Sequence, residues 1–360
     1  MLTPGQRPTW WLSWAALPYE IGTRLRAHGY ARGWLSQRRL PVPVISVGNL
    51  TVGGTGKTPL VIEVTEWLLA AGTRVAVLSR GYRRSSRESL LLVSDGRRTL
   101  ATPQDAGDEP YLIAQRCPKA IVAVGADRYR LGRHVVETCG VECMILDDGF
   151  QHLGVHRDVN LLLIDAKDAA GLDQLLPAGR LREPITAAKR ATAIILTRAE
   201  QPIHVEDVMT RLRTALRSLP SMAQVTFRTS ETVSVRTGES RSLEWLKGKR
   251  VVLVSGVGHG ASFRHTAEQL EVAILEETVY PDHHLYTARD VEFLRERADR
   301  LQAELMLTTE KDAVKIHPYV TSSDDRWWAA RLRVEWLTGE AAIRKMIMDA
   351  RCATGEGIRA

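Results

Sequence analysis

Val47-Gly48-Asn49-Leu50-Thr51-Val52-Gly53-Gly54-Thr55-Gly56-Lys57-Thr58 decides the fold. It follows the short β-branched apolar run Val42 to Val47 and leads into the helical pattern Leu60 to Leu69, the context in which a glycine-rich loop cradles phosphate. Glycines let backbone N–H groups close around phosphate oxygens, and the N-terminus of the following helix adds partial positive charge. The segment Thr51, Val52, Gly53, Gly54, Thr55, Gly56, Lys57, Thr58 and Pro59 is therefore the expected nucleotide cradle. Lys57 is placed to reach the β- and γ-phosphates and the Thr58 hydroxyl to ligand Mg²⁺. The strict spacing would put glycine at position 51, where this chain has Thr51.

Working outward, apolar runs recur at Val75 to Leu78, Ile121 to Val124, Cys143 to Leu146, Val159 to Ile164 and Ala193 to Leu196. Helical stretches such as Pro110 to Gln115 and Arg128 to Glu137 lie between them. This alternation predicts an α/β fold, a parallel sheet with helices on both faces. Ser89 to Ala101 reads as a hairpin turning at Asp95-Gly96. Thr226 to Ser242 alternates short polar and apolar residues, as a connecting ribbon does, and Arg250 to Ser255 opens a second α/β series with strands near Val272 to Leu275 and Leu305 to Leu307. The expected layout is an N-terminal membrane-associated helical segment over 1–40, a phosphate-loop kinase domain over 41–225, a ribbon over 226–245 and a smaller C-terminal α/β domain over 246–360.

The strand Cys143 to Leu146 ends in Asp147-Asp148, where an acidic residue completes a Mg²⁺ shell in phosphate-loop enzymes. Adjacent carboxylates repel, so a cation beside them is physically reasonable. A plain Asp-Asp-Gly surface turn is the other reading.

The net charge of +7 over 360 residues points to an anionic partner. Nucleic acid is a poor fit, because no stacking motif or basic helix supports it. Thr9 to Leu17 is apolar and Trp-rich but closes at Pro18 and Glu20, too short to span a bilayer. With Arg24, Arg26, Arg32, Arg38 and Arg39 following, it reads as an interfacial anchor or as a helix capping the domain. Cys117, Cys139, Cys143 and Cys352 form no metal or disulfide pattern and read as reduced thiols.

Thr51 to Pro59, taken with Ser79-Arg80-Gly81-Tyr82, Gly107-Asp108-Glu109-Pro110, Asp147-Asp148-Gly149-Phe150-Gln151-His152, Leu176 to Pro184, Asp282-His283 and Thr309-Glu310-Lys311-Asp312, resembles the tetraacyldisaccharide 4'-kinase family. The ordered set is far more specific than any one string. The resemblance implies ATP-dependent phosphorylation of the 4'-hydroxyl of an acylated glucosamine disaccharide 1-phosphate, with Mg²⁺, in the cleft of a two-domain fold at the cytoplasmic face of the bacterial inner membrane. Its partners would be the lipid substrate and the anionic membrane surface, the protein being peripheral or monotopic, with no nucleic acid and no obligate protein partner. It also implies that Asp108 is the catalytic carboxylate and His283 its partner. A carboxylate close to a sugar hydroxyl can take its proton during attack on phosphorus, and a histidine bonded to that carboxylate would orient it.

Metal contacts are expected from Thr58, Asp147, Asp148 and Glu183, and substrate or phosphate contacts from Arg80, Arg128, Gln151, His152 and Arg182. One departure from the family stands at Ser255-Gly256-Val257-Gly258-His259-Gly260, where it commonly has Gly-Ile-Gly-Asn-Pro. Thr309-Glu310-Lys311-Asp312 serves the nucleotide pocket or caps a helix. The rival function is a membrane ATPase switch, which would need no acid and histidine aimed at an acceptor hydroxyl.

Overall fold

The computed structural model describes residues 10–256, 260–322 and 324–353. In chain order its elements begin with α1 (Trp10–Ala31), β1 (Val44–Asn49), α2 (Lys57–Ala70), β2 (Val75–Ser79), β3 (Leu90–Asp95), α3 (Pro103–Ala106), α4 (Asp108–Arg116), β4 (Ile121–Gly125) and α5 (Arg128–Cys139). They continue with β5 (Cys143–Asp147), β6 (Val159–Asp165), β7 (Ala193–Thr197), α6 (Pro202–Ala215), β8 (Ser221–Ser234) and β9 (Ser240–Arg241). The second series is β10 (Arg250–Ser255), α7 (Gly260–Gln269), β11 (Ala273–Val279), α8 (Ala288–Arg300), β12 (Leu305–Thr309), α9 (Glu310–Ile316), β13 (Trp327–Thr338) and α10 (Glu340–Ala353).

The strands make one sheet in the order β11-β10-β12-β13-β8-β7-β6-β1-β5-β2-β4-β3, with β9 hung on β8. It is two parallel half-sheets joined by one antiparallel seam. Strands β8, β7, β6, β1, β5, β2 and β4 run parallel, β3 alone reverses at the edge, and β11, β10, β12 and β13 run parallel to one another. The long strands β8 and β13 pair antiparallel between them.

Register along that seam positions the site. Thr197, the end of β7, lies opposite Val225 of β8. Thr309, the end of β12, lies opposite Ala330 of β13, which lies opposite Thr232 of β8. The half-sheets are thus offset along the seam, and their carboxyl ends point at each other across the stretch between Val225 and Thr232. Carboxyl ends of parallel strands are where α/β folds build their sites, and here two such edges face one cleft.

Each half buries both faces of its sheet, which is why its strands read as near-continuous apolar runs. In β6, Leu161 and Leu163 pack under α2 and α10, while Leu162 and Ile164 pack toward α6. In β10, Val252 and Val254 face α8 and α9, while Val251 and Leu253 face α7. That alternation is the period-two geometry of a strand.

Two expectations need correction. The hairpin over 89–101 has its turn at Gly96 (φ 79°), but its second arm contributes only a Ser94–Thr99 bridge. The main partner of β3 is β4, because only that edge completes a buried sheet. The C-terminal limit also moves. After β13 the chain re-enters the first half, where Ile343 and Ile347 of α10 are fully buried with Val61, Val64 and Leu68. Arg351 there donates to the Ala71 carbonyl at 3.0 Å, and Trp336 stacks on Trp67 with centroids 5.4 Å apart. We propose a division into two lobes at the β8/β13 seam, with α10 belonging to the first. Thr9 and the stretch Val257-Gly258-His259, part of the family departure, lie outside the described residues.

Candidate active site

The phosphate loop leaves β1 and enters α2 through Gly56, whose left-handed backbone (φ 82°) forms the helix N-cap. A methyl group there would collide with the Phe227 ring of β8, its nearest atom 2.0 Å away. Only glycine suits both the dihedral and the space. Asn49 Nδ2 donates to Thr55 Oγ1 at 2.9 Å, bracing the loop from beneath.

The stretch containing Arg180 and Arg182 braces it from the side. Val52 N–H donates to the Arg180 carbonyl at 2.8 Å, Arg182 N–H to the Leu50 carbonyl at 2.7 Å, and the Arg180 guanidinium returns to the Val52 carbonyl at 2.8 Å. Thr51, standing where the strict pattern has glycine, is buried and bridges to Leu181. A side chain at this position thus serves loop packing. Arg198, at the end of β7, donates to the Gly54 carbonyl at 2.9 Å. Neither Arg180 nor Arg198 was expected from sequence, since nothing in a lone arginine announces which carbonyl it will meet.

Lys57 and Thr58 open α2, both largely buried. The Lys57 ammonium lies 3.5 Å from Asp148 Oδ1, and Arg182 Nη1 donates to Asp148 Oδ2 at 2.7 Å. Burial pushes the Asp148 carboxyl up, but these two cations outweigh it and leave the carboxyl below its usual range. Asp148 itself sits at positive φ (53°), a strained position typical of functional turns.

Asp147 behaves in the opposite way. Burial, then the charges of Glu109 and Asp148, push its carboxyl up to about 6, although Ser79 Oγ donates to its Oδ2 at 2.8 Å. Its Oδ1 is buried without a hydrogen-bond partner. An orphaned carboxylate oxygen beside a phosphate loop is what a divalent cation satisfies, so the residues fit Mg²⁺. Among the described residues no three His, Cys, Asp or Glu side chains form a metal cluster. A phosphate-loop Mg²⁺ completes its shell with phosphate and water and needs no such cluster.

The second lobe enters at one loop. His283, at positive φ (61°), brings its Nδ1 to 2.9 Å from Asp108 Oδ2 across the cleft. Asp108 is the first residue of α4 and is buried; Gly107 precedes it at φ 92°. Burial would raise the Asp108 carboxyl, but the His283 hydrogen bond and the Lys311 charge bring it down to about 2. The same bond to Asp108 raises His283 above its ordinary value, against partial burial. Next to Asp108, Glu109 is ion-paired with Lys311 of the second lobe. Neither Glu109 nor Lys311 was singled out from sequence, although both stand inside quoted motifs.

The remaining expected residues divide. Arg128 is buried, donates from Nη1 to the Gly125 carbonyl and leaves Nε without a partner; burial lowers it to about 10, with the nearby Asp147 opposing. Arg80 is exposed at the end of β2 and its charge is felt at Arg128. Gln151 Nε2 donates to the Asn49 carbonyl at 2.9 Å, which makes it a brace for the phosphate loop. His152 lines a cavity of about 260 Å³ with Tyr30, Ser36, Arg38, Asp127 and Tyr129; burial and then the Arg128 charge hold it down at about 4. Two others meet partners within the protein. Arg182, expected on a substrate anion, is committed to Asp148. Glu183, expected near the metal, has its oxygens taken by Arg190 at 2.8 and 2.9 Å.

Helix α1 lies against these same loops: Tyr19 donates to the Arg182 carbonyl at 2.9 Å and Arg26 to the Gln151 carbonyl at 3.1 Å. Trp14, Leu17, Ile21, Leu25 and Trp34 are exposed along it and just beyond. No helix among the described residues is long and apolar enough to cross a membrane.

Comparison with known proteins follows the same outline. A family model described as tetraacyldisaccharide-1-P 4'-kinase matches residues 8–351. A tetraacyldisaccharide 4'-kinase of Syntrophus aciditrophicus (strain SB) is 40% identical over 311 residues, covering 84% of this chain and 83% of the relative. One from Anaeromyxobacter sp. (strain Fw109-5) is 39% identical over 340 residues, covering 94% and 90%. Among solved structures, the "apo" form of LpxK from Aquifex aeolicus in complex with ATP is similar with a TM-score of 0.77 and 34% identity, over 93% of this chain and 96% of that one.

Proposed function

The chain belongs to the tetraacyldisaccharide 4'-kinase family, and we propose that its reaction is run by a base assembled from both lobes, Asp108 from the first and His283 from the second. It is an ATP-dependent kinase that phosphorylates the 4'-hydroxyl of tetraacyldisaccharide 1-phosphate, a lipid A precursor. The single observation that carries the mechanism is the 2.9 Å contact of His283 Nδ1 with Asp108 Oδ2 across the cleft.

The acceptor hydroxyl donates to Asp108. As its oxygen bonds to the γ-phosphorus and the bond to the β-phosphate bridging oxygen breaks, the proton leaves for the Asp108–His283 pair. A carboxylate held at about 2 orients the hydroxyl well but keeps a proton poorly. His283, raised by the same contact, is the better resting place for that proton. Lys57 and the loop N–H groups meet the β- and γ-phosphate charge. Thr58 and Asp147 would hold Mg²⁺, which supplies charge neutralisation between the phosphates when bound. Arg128 and Arg80 remain proposed anion contacts and His152 a proposed sugar contact; Gln151 and Arg182 act on the loop and on Asp148.

The membrane reading rests on α1. Its exposed Trp14, Leu17, Leu25 and Trp34 and the basic residues Arg24, Arg26 and Arg32 suit an anionic interface. Its bonds to the Arg182 and Gln151 carbonyls would carry the cleft to the lipid headgroups at the cytoplasmic face of the inner membrane.

The test is transfer from labelled ATP to tetraacyldisaccharide 1-phosphate in detergent micelles, comparing wild type with Asp108→Ala. A loss of about 100-fold or more in kcat is expected with ATP affinity little changed. Near-normal turnover in that variant removes Asp108 from the mechanism.

A further inference from the structure

The Thr309-Glu310-Lys311-Asp312 turn does more than cap a helix. Thr309 Oγ1 accepts from Asp312 N–H at 3.1 Å and donates to Asp312 Oδ2 at 2.7 Å, fixing the start of α9. Asp312, fully buried, also accepts from Gly256 N–H at 2.9 Å and pairs with Lys315 at 2.8 Å, which ties the turn to the end of β10.

From that fixed turn the two middle residues reach into the first lobe. Arg116 Nη1, at the far end of α4, donates to both Glu310 oxygens at 2.9 Å, and both side chains are largely buried. Glu310 also accepts from Leu332 N–H at 3.1 Å and Arg331 Nε at 3.2 Å. Lys311 pairs with Glu109 at the near end of α4. So α9 grips α4 at both ends, and the near grip falls on the residue beside Asp108.

We propose that Lys311 is a positioning residue for phosphoryl transfer, holding Glu109 so that the Asp108–His283 pair forms when, and only when, α9 docks on α4. The proposal rests on reading that pair as the base. The ionisable groups facing Asp108 are His283, Lys311 and Lys315; those facing His283 are Asp108, Asp282 and Lys311; Glu109 faces Lys311, Lys57, Asp108 and Asp147. Without Lys311 the pair is lost and His283 falls back toward its ordinary value, since the Asp108 contact outweighs the small lowering that the Lys311 charge exerts.

The experiment compares wild type, Lys311→Met, Lys311→Arg and Asp108→Ala in the micelle assay across the neutral pH range, with a thermal melt of each. Lys311→Met is expected to lower kcat roughly 10- to 100-fold, leave KM for ATP unchanged, and move the acid limb of the rate profile to lower pH, because His283 loses the contact that raises it. Lys311→Arg should restore most of the rate and the limb. A purely structural lysine would shift the melt and leave the limb where it was, which overturns the proposal. So does a wild-type kcat in Lys311→Met while Asp108→Ala is dead; turnover in Asp108→Ala instead sinks the base reading itself. Should Lys311→Met fail to fold, Glu310→Gln reads the same docking. It should lower kcat several-fold and move the limb to lower pH, and wild-type values there overturn the proposal equally.

Discussion

The two lobes present the same kind of edge to the cleft, the carboxyl ends of parallel strands, and equip it differently. The first builds its phosphate cradle largely from backbone: Gly53 and Gly56 at positive φ, loop carbonyls held by Arg180 and Arg198, and a helix N-terminus. The second contributes side chains from two short turns, His283 from one and Glu310 and Lys311 from the other. A backbone cradle is complete before any partner arrives, whereas a side chain reaching from another lobe counts only when the lobes are docked. In the mechanism we propose, the first lobe therefore supplies binding of phosphate, and the second supplies the condition under which transfer occurs.

If that contrast holds, the largest single loss should come from the first lobe. Lys57→Ala is expected to cut phosphoryl transfer roughly 1000-fold, since it removes the cation at the head of α2 that the proposed mechanism sets against developing phosphate charge. Labelled-lipid formation measures it. A loss smaller than that of His283→Ala would reverse the ranking of the lobes and break the comparison.

The same asymmetry governed what could be read from the sequence. The cradle was legible because its physical requirement, positive φ and no Cβ, selects glycine at fixed offsets. Parallel strands were legible because burial on both faces makes them continuous apolar runs. Lys311 and Arg116 were not, because an ion pair between residues about two hundred positions apart leaves no local pattern. His283 and Asp108 stand out through the family resemblance alone, since neither carries a local pattern that announces its partner. The packing of α10 on the first half, and not on the C-terminal series it follows, is illegible for a related reason: an apolar stripe says that a helix packs, and not on which core. The internal partners of Glu183 and Arg182, Arg190 and Asp148, are equally invisible in the sequence, because polar residues near a motif look alike until what they touch is in view.

A pH titration sharpens the contrast, because one proton acts on both sides of it with opposite signs. His283 is raised above its unfolded value of 6.5 by Asp108. A raised folded value means the pair contributes stability fully below the unfolded value and loses it as pH rises through the folded one. The base, in contrast, is available only once His283 has released its proton. Over the same window activity should climb while the melting temperature drifts down. His283→Asn should flatten both slopes, and a variant that flattened only one would separate docking from chemistry.

The smallest expected effect is the most discriminating. Thr309 caps α9 from the second lobe, well behind the residues that touch the first. Thr309→Ala removes a cap worth about 1 kcal/mol, which for a chain of this size lowers the melting temperature by roughly 2 °C. If the second lobe acts only by being docked, a cap that merely frays α9 should leave kcat within about threefold, because Glu310 and Arg116 still hold the helix down and Asp312 remains tied to Gly256. A much larger loss of kcat, with the small melting shift intact, would mean that the exact placement of Lys311 matters as strictly as the glycine cradle does. The second lobe would then be as preorganised as the first, and the difference between the two edges would lie in their atoms and not in their rigidity.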